Sequence, residues 1–122
     1  MNKVRFIEHR TRRIVLLDFV GIQDVDEGLA AVAEASAFIG ALPPDGTTLT
    51  CTDATDTRYD RRIIDALKEM TRRNRPIVKA AAIVSKSPIH RAAVSMLGMV
   101  SRRKLESFDS RERALDWLAS QA

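Results

Sequence analysis

Arg13-Ile14-Val15-Leu16-Leu17-Asp18-Phe19-Val20 is the stretch on which the fold turns. Its β-branched and aliphatic residues favour an extended chain, and its length is that of one strand. Both alternating sets are apolar, so neither face suits water and the strand belongs inside a sheet covered on two sides. Upstream, Val4-Arg5-Phe6-Ile7-Glu8-His9 alternates in part. The short link Arg10-Thr11-Arg12 joins the two strands most economically as an antiparallel hairpin.

Downstream, Gly21 stops the strand, and Asp24 with Glu27 has capping-box spacing at a helix start. Val25, Leu29, Val32, Ser36 and Ile39 then recur at helical period, widened by Ala33 and Phe38, until Pro43-Pro44-Asp45-Gly46 ends the element. Thr47 to Asp53 is a third strand by its β-branched content. A hydroxyl-rich loop leads to a helix capped by Asp60, with Ile63, Ile64, Leu67 and Met70 as its apolar stripe, closed by Asn74-Arg75-Pro76. Ile77 to Ser85 is Ala-rich, which is poor for a strand. It is nevertheless bracketed by Pro76 and Ser87-Pro88 at a length too short for a typical helix, and small residues suit a central strand under a close helix. Ser87-Pro88 starts a helix with the stripe Ile89, Ala93, Met96 and Val100. Lys104 to Phe108 is a fifth strand. A last helix carries Ala114, Leu115 and Leu118, with Asp109 and Glu112 at capping-box spacing. The order β-β-α-β-α-β-α-β-α predicts one α/β domain over residues 1–122: a hairpin, then alternating units, forming a mostly parallel five-stranded sheet packed by four helices.

Composition excludes several classes. Hydrophobic residues make up 45% and charged residues 30% of 122 residues, which is globular usage rather than disorder. No apolar run approaches the roughly 20 residues that cross a bilayer. The amino-terminal segment leads into a strand instead of an apolar signal core, so a cytoplasmic protein is expected. Cys51 is the only cysteine, so no internal disulfide can form, and its strand context suits an inert core thiol. The net charge of +4 is unevenly laid out. Residues 14–57 hold eight acids and no Lys or Arg, whereas residues 58–104 hold thirteen basic groups against three acids. Segregation of this kind suits steering of a charged partner; differently solvated helix faces account for it equally well.

The strand–helix order, with its hairpin entry, resembles the SpoIIAA-like (STAS) fold. Four stretches are similar to small bacterial SpoIIAA-like proteins of unassigned role: Arg13 to Ile22, Thr52-Asp53-Ala54-Thr55 with Tyr59-Asp60-Arg61-Arg62, Asn74-Arg75-Pro76, and Phe108 to Leu118. The resemblance implies a regulatory protein-interaction module without a cofactor. Members that antagonise anti-sigma factors carry a Ser-Ser-Gly type switch, phosphorylated by a partner kinase, at the start of the helix after the third strand. Here that place reads Asp56-Thr57-Arg58-Tyr59-Asp60-Arg61-Arg62, with no such switch. The resemblance extends to small lipid-binding (CRAL-TRIO) domains, which implies a carrier of an apolar or anionic ligand as the alternative.

In parallel sheets, partners and ligands meet the carboxyl ends of the strands, where helix N-termini offer free N–H groups. Two loops qualify. One is Thr55, Asp56, Thr57, Arg58, Tyr59 and Asp60 with Arg61; the other is Lys86 and Ser87 with His90 and Arg91 in the first turn beyond. A hydrolytic trio of Ser87, His90 and Asp53 or Asp56 lacks a Gly-x-Ser-x-Gly elbow, and capping would occupy the hydroxyl, so no enzyme is expected. His9, His90 and Cys51 show no metal-ligand spacing, and no Gly-rich phosphate loop is present. Arg12-Arg13, Arg61-Arg62, Arg72-Arg73 and Arg102-Arg103 raise nucleic-acid binding as a third reading, which the 5% aromatic content disfavours because bases lack stacking partners. Val94, Leu97 and Met99 extend the apolar circumference of the helix that follows Ser87, so this helix offers a homodimer or partner surface, a ligand wall, or a face covered by the Trp117 helix.

Overall fold

The computed structural model describes residues 3–58, 60–88, 91 and 104–121. β1 (Val4–His9) and β2 (Arg12–Asp18) form the hairpin; α1 (Val25–Gly40), β3 (Thr48–Asp53), α2 (Arg61–Arg73), β4 (Val78–Val84), β5 (Lys104–Phe108) and α3 (Arg111–Ser120) follow. The sheet order is β1-β2-β3-β4-β5, antiparallel only between β1 and β2. This is the predicted α/β sheet with one difference: three helices, not four, lie among the described residues. The helix expected from Ser87 onward, with Val94, Leu97 and Met99, falls almost wholly on residues outside them.

β2 behaves as its composition demands. Val15 and Leu17 point into one apolar layer and Ile14 and Leu16 into the other, all at 0–1% exposure. The first layer joins the hairpin to α1 and α2 through Phe19, Ile22, Val32, Ile39 and Ile63. The second joins β2, β3 and β4 to α3 through Leu49, Cys51, Ala80, Ala82, Ala114 and Leu118. The alanines of β4 therefore do what the sequence suggests, letting α3 lie close over a central strand.

Three local expectations shift. The buried face of α1 is Val25, Gly28, Ala31, Val32, Ala35 and Ile39, while Ala33 is exposed and Leu29 and Ser36 are half-buried. The helix is turned toward its small residues because α2 crosses there: a Cβ on Gly28 would stand 2.5 Å from Cδ1 of Ile63. At the start of α3 the cap is Ser110, whose Oγ accepts from the N–H of Arg113, instead of Asp109. The hairpin turn is the two residues Arg10 and Thr11, since Arg12 already belongs to β2.

Both turn residues have positive φ, 50° and 65°, the sense that matches the twist of two-residue hairpins. Neither is glycine or asparagine, and a β-branched residue at positive φ is strained. The hairpin tip is instead held from outside: Asp116 of α3 accepts from Arg10 Nε at 2.9 Å and lies 2.7 Å from His9 Nε2. Those contacts, that from His9 first, hold the Asp116 carboxyl below its ordinary range. Thr11→Gly removes the strain without touching Asp116. We expect it to raise unfolding stability by about 1 kcal/mol in urea titration.

Candidate functional site at the strand carboxyl ends

β2, β3 and β4 run parallel and end side by side at Asp18, Asp53 and Val84. The β3–α2 loop is built onto the β2–α1 loop by hydrogen bonds. Phe19 N donates to Asp53 O at 3.0 Å, Gly21 N to Thr55 O at 3.0 Å, and Arg58 N to Ile22 O at 2.7 Å. Gln23 Nε2 donates to Asp56 O, and Thr57 Oγ1 donates to Phe19 O. Asp56 takes φ 57°, a left-handed conformation that aspartate tolerates better than most residues. The backbone is spent in this brace, and the exposed side chains of Asp56 and Arg58 project from it.

Asp60 starts α2 as predicted. Its carboxylate accepts from the N–H of Arg62 at 2.8 Å and from the Arg62 guanidinium, which together hold it below its ordinary pKa. The N-terminus of α2 thus carries its own anion. Arg61 is 92% exposed and lies 4.0 Å from Asp65. Arg72 is bound by Glu69 at 2.6 Å. Much of the basic character of α2 is neutralised along its own surface, which weakens it as a phosphate-binding face.

In the second loop, Lys86 is exposed and Ser87 half-buried. Ser87 N donates to Ser85 Oγ at 3.2 Å, and Arg91 N donates to Ser87 O at 3.1 Å, the first helical turn expected after Ser87. Ser85 N donates to Phe108 O, tying this loop to β5. Thr55, Asp56, Thr57, Arg58, Asp60 and Arg61 therefore lie on the β3–α2 loop and the start of α2, with Lys86 and Ser87 on the loop after β4 and Arg91 one turn beyond. Tyr59 and His90 lie outside the described residues, as do Val94, Leu97 and Met99.

The strongest electrostatic feature of this end was missed from sequence. Arg111, in the first turn of α3, donates from Nε to Asp53 Oδ2 at 2.7 Å and from Nη2 to Asp18 Oδ1 at 3.2 Å. Arg5 stands 3.6 Å from the other Asp18 oxygen. Thr55 donates to Asp53 Oδ1 from both its N–H and its hydroxyl. Burial opposes the Asp53 charge, but the Thr55 hydroxyl, the guanidinium and the Thr55 N–H together outweigh it and bring the pKa below the ordinary value. Both Asp53 oxygens thus accept hydrogen bonds within this end of the sheet. The signal was present: two aspartates end apolar strands inside a stretch without Lys or Arg, so a cation had to come from elsewhere. Beside them the Cys51 thiol is pushed up to about 12, chiefly by burial and then by the Asp53 charge, and is inert. Among the described residues no group of three or more His, Cys, Asp or Glu side chains could hold a metal ion, and no helix is long and apolar enough to cross a membrane.

Two outcomes follow. Asp53→Asn should cost about 2–3 kcal/mol at neutral pH, because Arg111 loses the nearer and more buried of its two anions and keeps only Asp18. The carboxylate's contribution is present above its unfolded pKa of about 4 and lost as pH falls through the lower folded value, so the gap between wild type and variant must close below about pH 4. Urea titration across acidic pH measures it. Cys51 should resist iodoacetamide in the native protein at mildly alkaline pH and react once denaturant is added, read by mass.

No protein-family model matches the chain, and no curated protein matches it. Among solved structures, the chain is similar to an uncharacterised protein of the DUF3478 family from Shewanella loihica PV-4, described as having a SpoIIAA-like fold. The TM-score is 0.72 at 12% identity, over 94% of this chain and 91% of that one. The hairpin, the parallel strands and the helices on both faces are those of a SpoIIAA-like fold.

Proposed function

We propose that the protein is a non-catalytic protein-interaction module of STAS type, working in the cytoplasm, whose recognition surface is the β3–α2 loop and the first turn of α2. The observation that carries this reading is the brace between the two loops. It presents Asp56 and Arg58 from a backbone already fixed in place, with Arg61 on the first turn of α2, so little conformational entropy is lost on docking. The SpoIIAA-like fold of a protein of similar length supports it. Asp60 gives α2 a permanent carboxylate where regulatory relatives place a phosphorylatable serine, so association here would not wait on a kinase at that position.

The test is a paired affinity capture from the host's lysate, using wild type and the double variant Arg58→Glu/Arg61→Glu. Both substituted side chains are exposed, so folding stability should change by no more than about 0.5 kcal/mol. A protein retained by wild type and bound about tenfold more weakly by the variant supports the surface. Identical captured proteins from both would overturn it.

A further inference from the structure

At the other end of the sheet, between the last turns of α1 and the end of α2, lies an open groove of about 520 Å³. Along α1 it is walled by Ala33, Ser36, Ala37 and Gly40, spaced so that one helical face carries only small side chains. Ile77 adds an apolar side chain opposite. Arg73 and Asn74 complete the lining, so no acid takes part.

Asn74 is the informative residue. It is 5% exposed, and its Nδ2 is the one buried side-chain nitrogen or oxygen without a hydrogen-bond partner among the described residues. Its backbone is fully used: the N–H donates to Met70 O, and the carbonyl accepts from Ile77 N and Val78 N. The side-chain Nδ2 has no such employment. Buried donors are nearly always satisfied, so an orphan amide in the lining of a groove points to an acceptor supplied from outside the chain. Arg73 beside it is exposed, and the neighbouring acid Glu69 is bound by Arg72.

We propose that this groove binds a small carboxylate with a compact apolar body. The carboxylate would lie between Arg73 and the Asn74 amide, and the apolar part would rest on Ala33, Ala37 and Ile77. The volume falls in the usual range for small-molecule sites, and the polar side chains of the lining are an arginine, an amide and a hydroxyl, with no carboxylate. An amine would find no counter-charge. The groove lies at the end of the sheet opposite the braced loop, so its failure would leave the proposed function untouched.

The test is titration of the isotope-labelled full chain, followed by proton–nitrogen correlation spectra, with benzoate and octanoate as probes and benzylamine as the matched cation. Saturable shifts of the backbone amides of residues 33–40 and 73–77 and of the Asn74 side-chain amide with either carboxylate, and none with benzylamine, are expected. Arg73→Gln should weaken that binding about tenfold by removing a charge-assisted contact. Ala37→Leu, at an exposed helical position, should fill the groove and abolish binding while leaving distant resonances in place. Absence of saturation with both carboxylates, equal shifts with benzylamine, or an unchanged affinity in Arg73→Gln would each overturn the proposal. So would an Asn74 side-chain signal unmoved by either probe, which means that solvent alone satisfies the amide.

Discussion

Burying both faces of β2 obliges the chain to build two apolar layers, and most of the architecture answers that demand. A sheet with one dry face could have stopped at α1 and α2. Ile14 and Leu16 need a second cover, and α3 supplies it through Ala114, Leu115 and Leu118. At ten residues α3 is too short to be stable alone, so its existence rests on this packing and on the contacts at its ends. Asp116 in its second turn holds the hairpin tip, and Arg111 in its first turn holds the ends of β2 and β3.

Arg111 shows how an apolar strand can end in a charge. Asp18 and Asp53 are register partners on adjacent strands, where two carboxylates would repel. One guanidinium between them, with Arg5 behind Asp18 and Thr55 beneath Asp53, converts that repulsion into a tie between the sheet and a helix distant in sequence. The same kind of pairing disposes of much of the charge segregation. Lys3 meets Glu27, Arg5 meets Asp18, and Arg61, Arg62 and Arg72 of α2 meet Asp65, Asp60 and Glu69. The net positive charge is consequently carried less by a basic face than by scattered exposed groups such as Arg58, Lys68 and Lys86.

The two ends of the sheet are built differently. At the strand carboxyl ends the β2–α1 and β3–α2 loops are bonded to each other, and exposed charged side chains stand on a fixed backbone. At the opposite end the small residues of α1 leave open space beside Arg73 and Asn74. A stiff, charged surface suits recognition of a folded partner, and a groove of this size suits a small molecule.

Sequence by itself determined the order of the five strands and three of the four expected helices, the interior place of β2, the Asp24 and Asp60 caps and the use of small residues on β4, because each follows from local propensity or from a periodicity of two or 3.6 residues. It located the braced loop as a candidate site, since parallel strands put their following loops together. It did not determine which face of α1 is buried, because Gly28 is silent until Ile63 is placed against it. Nor did it reveal Arg111 as the partner of Asp18 and Asp53, nor Asn74 as an unsatisfied donor. Those are meetings of residues dozens of positions apart, or the lack of such a meeting, and only the packing of one element on another creates them.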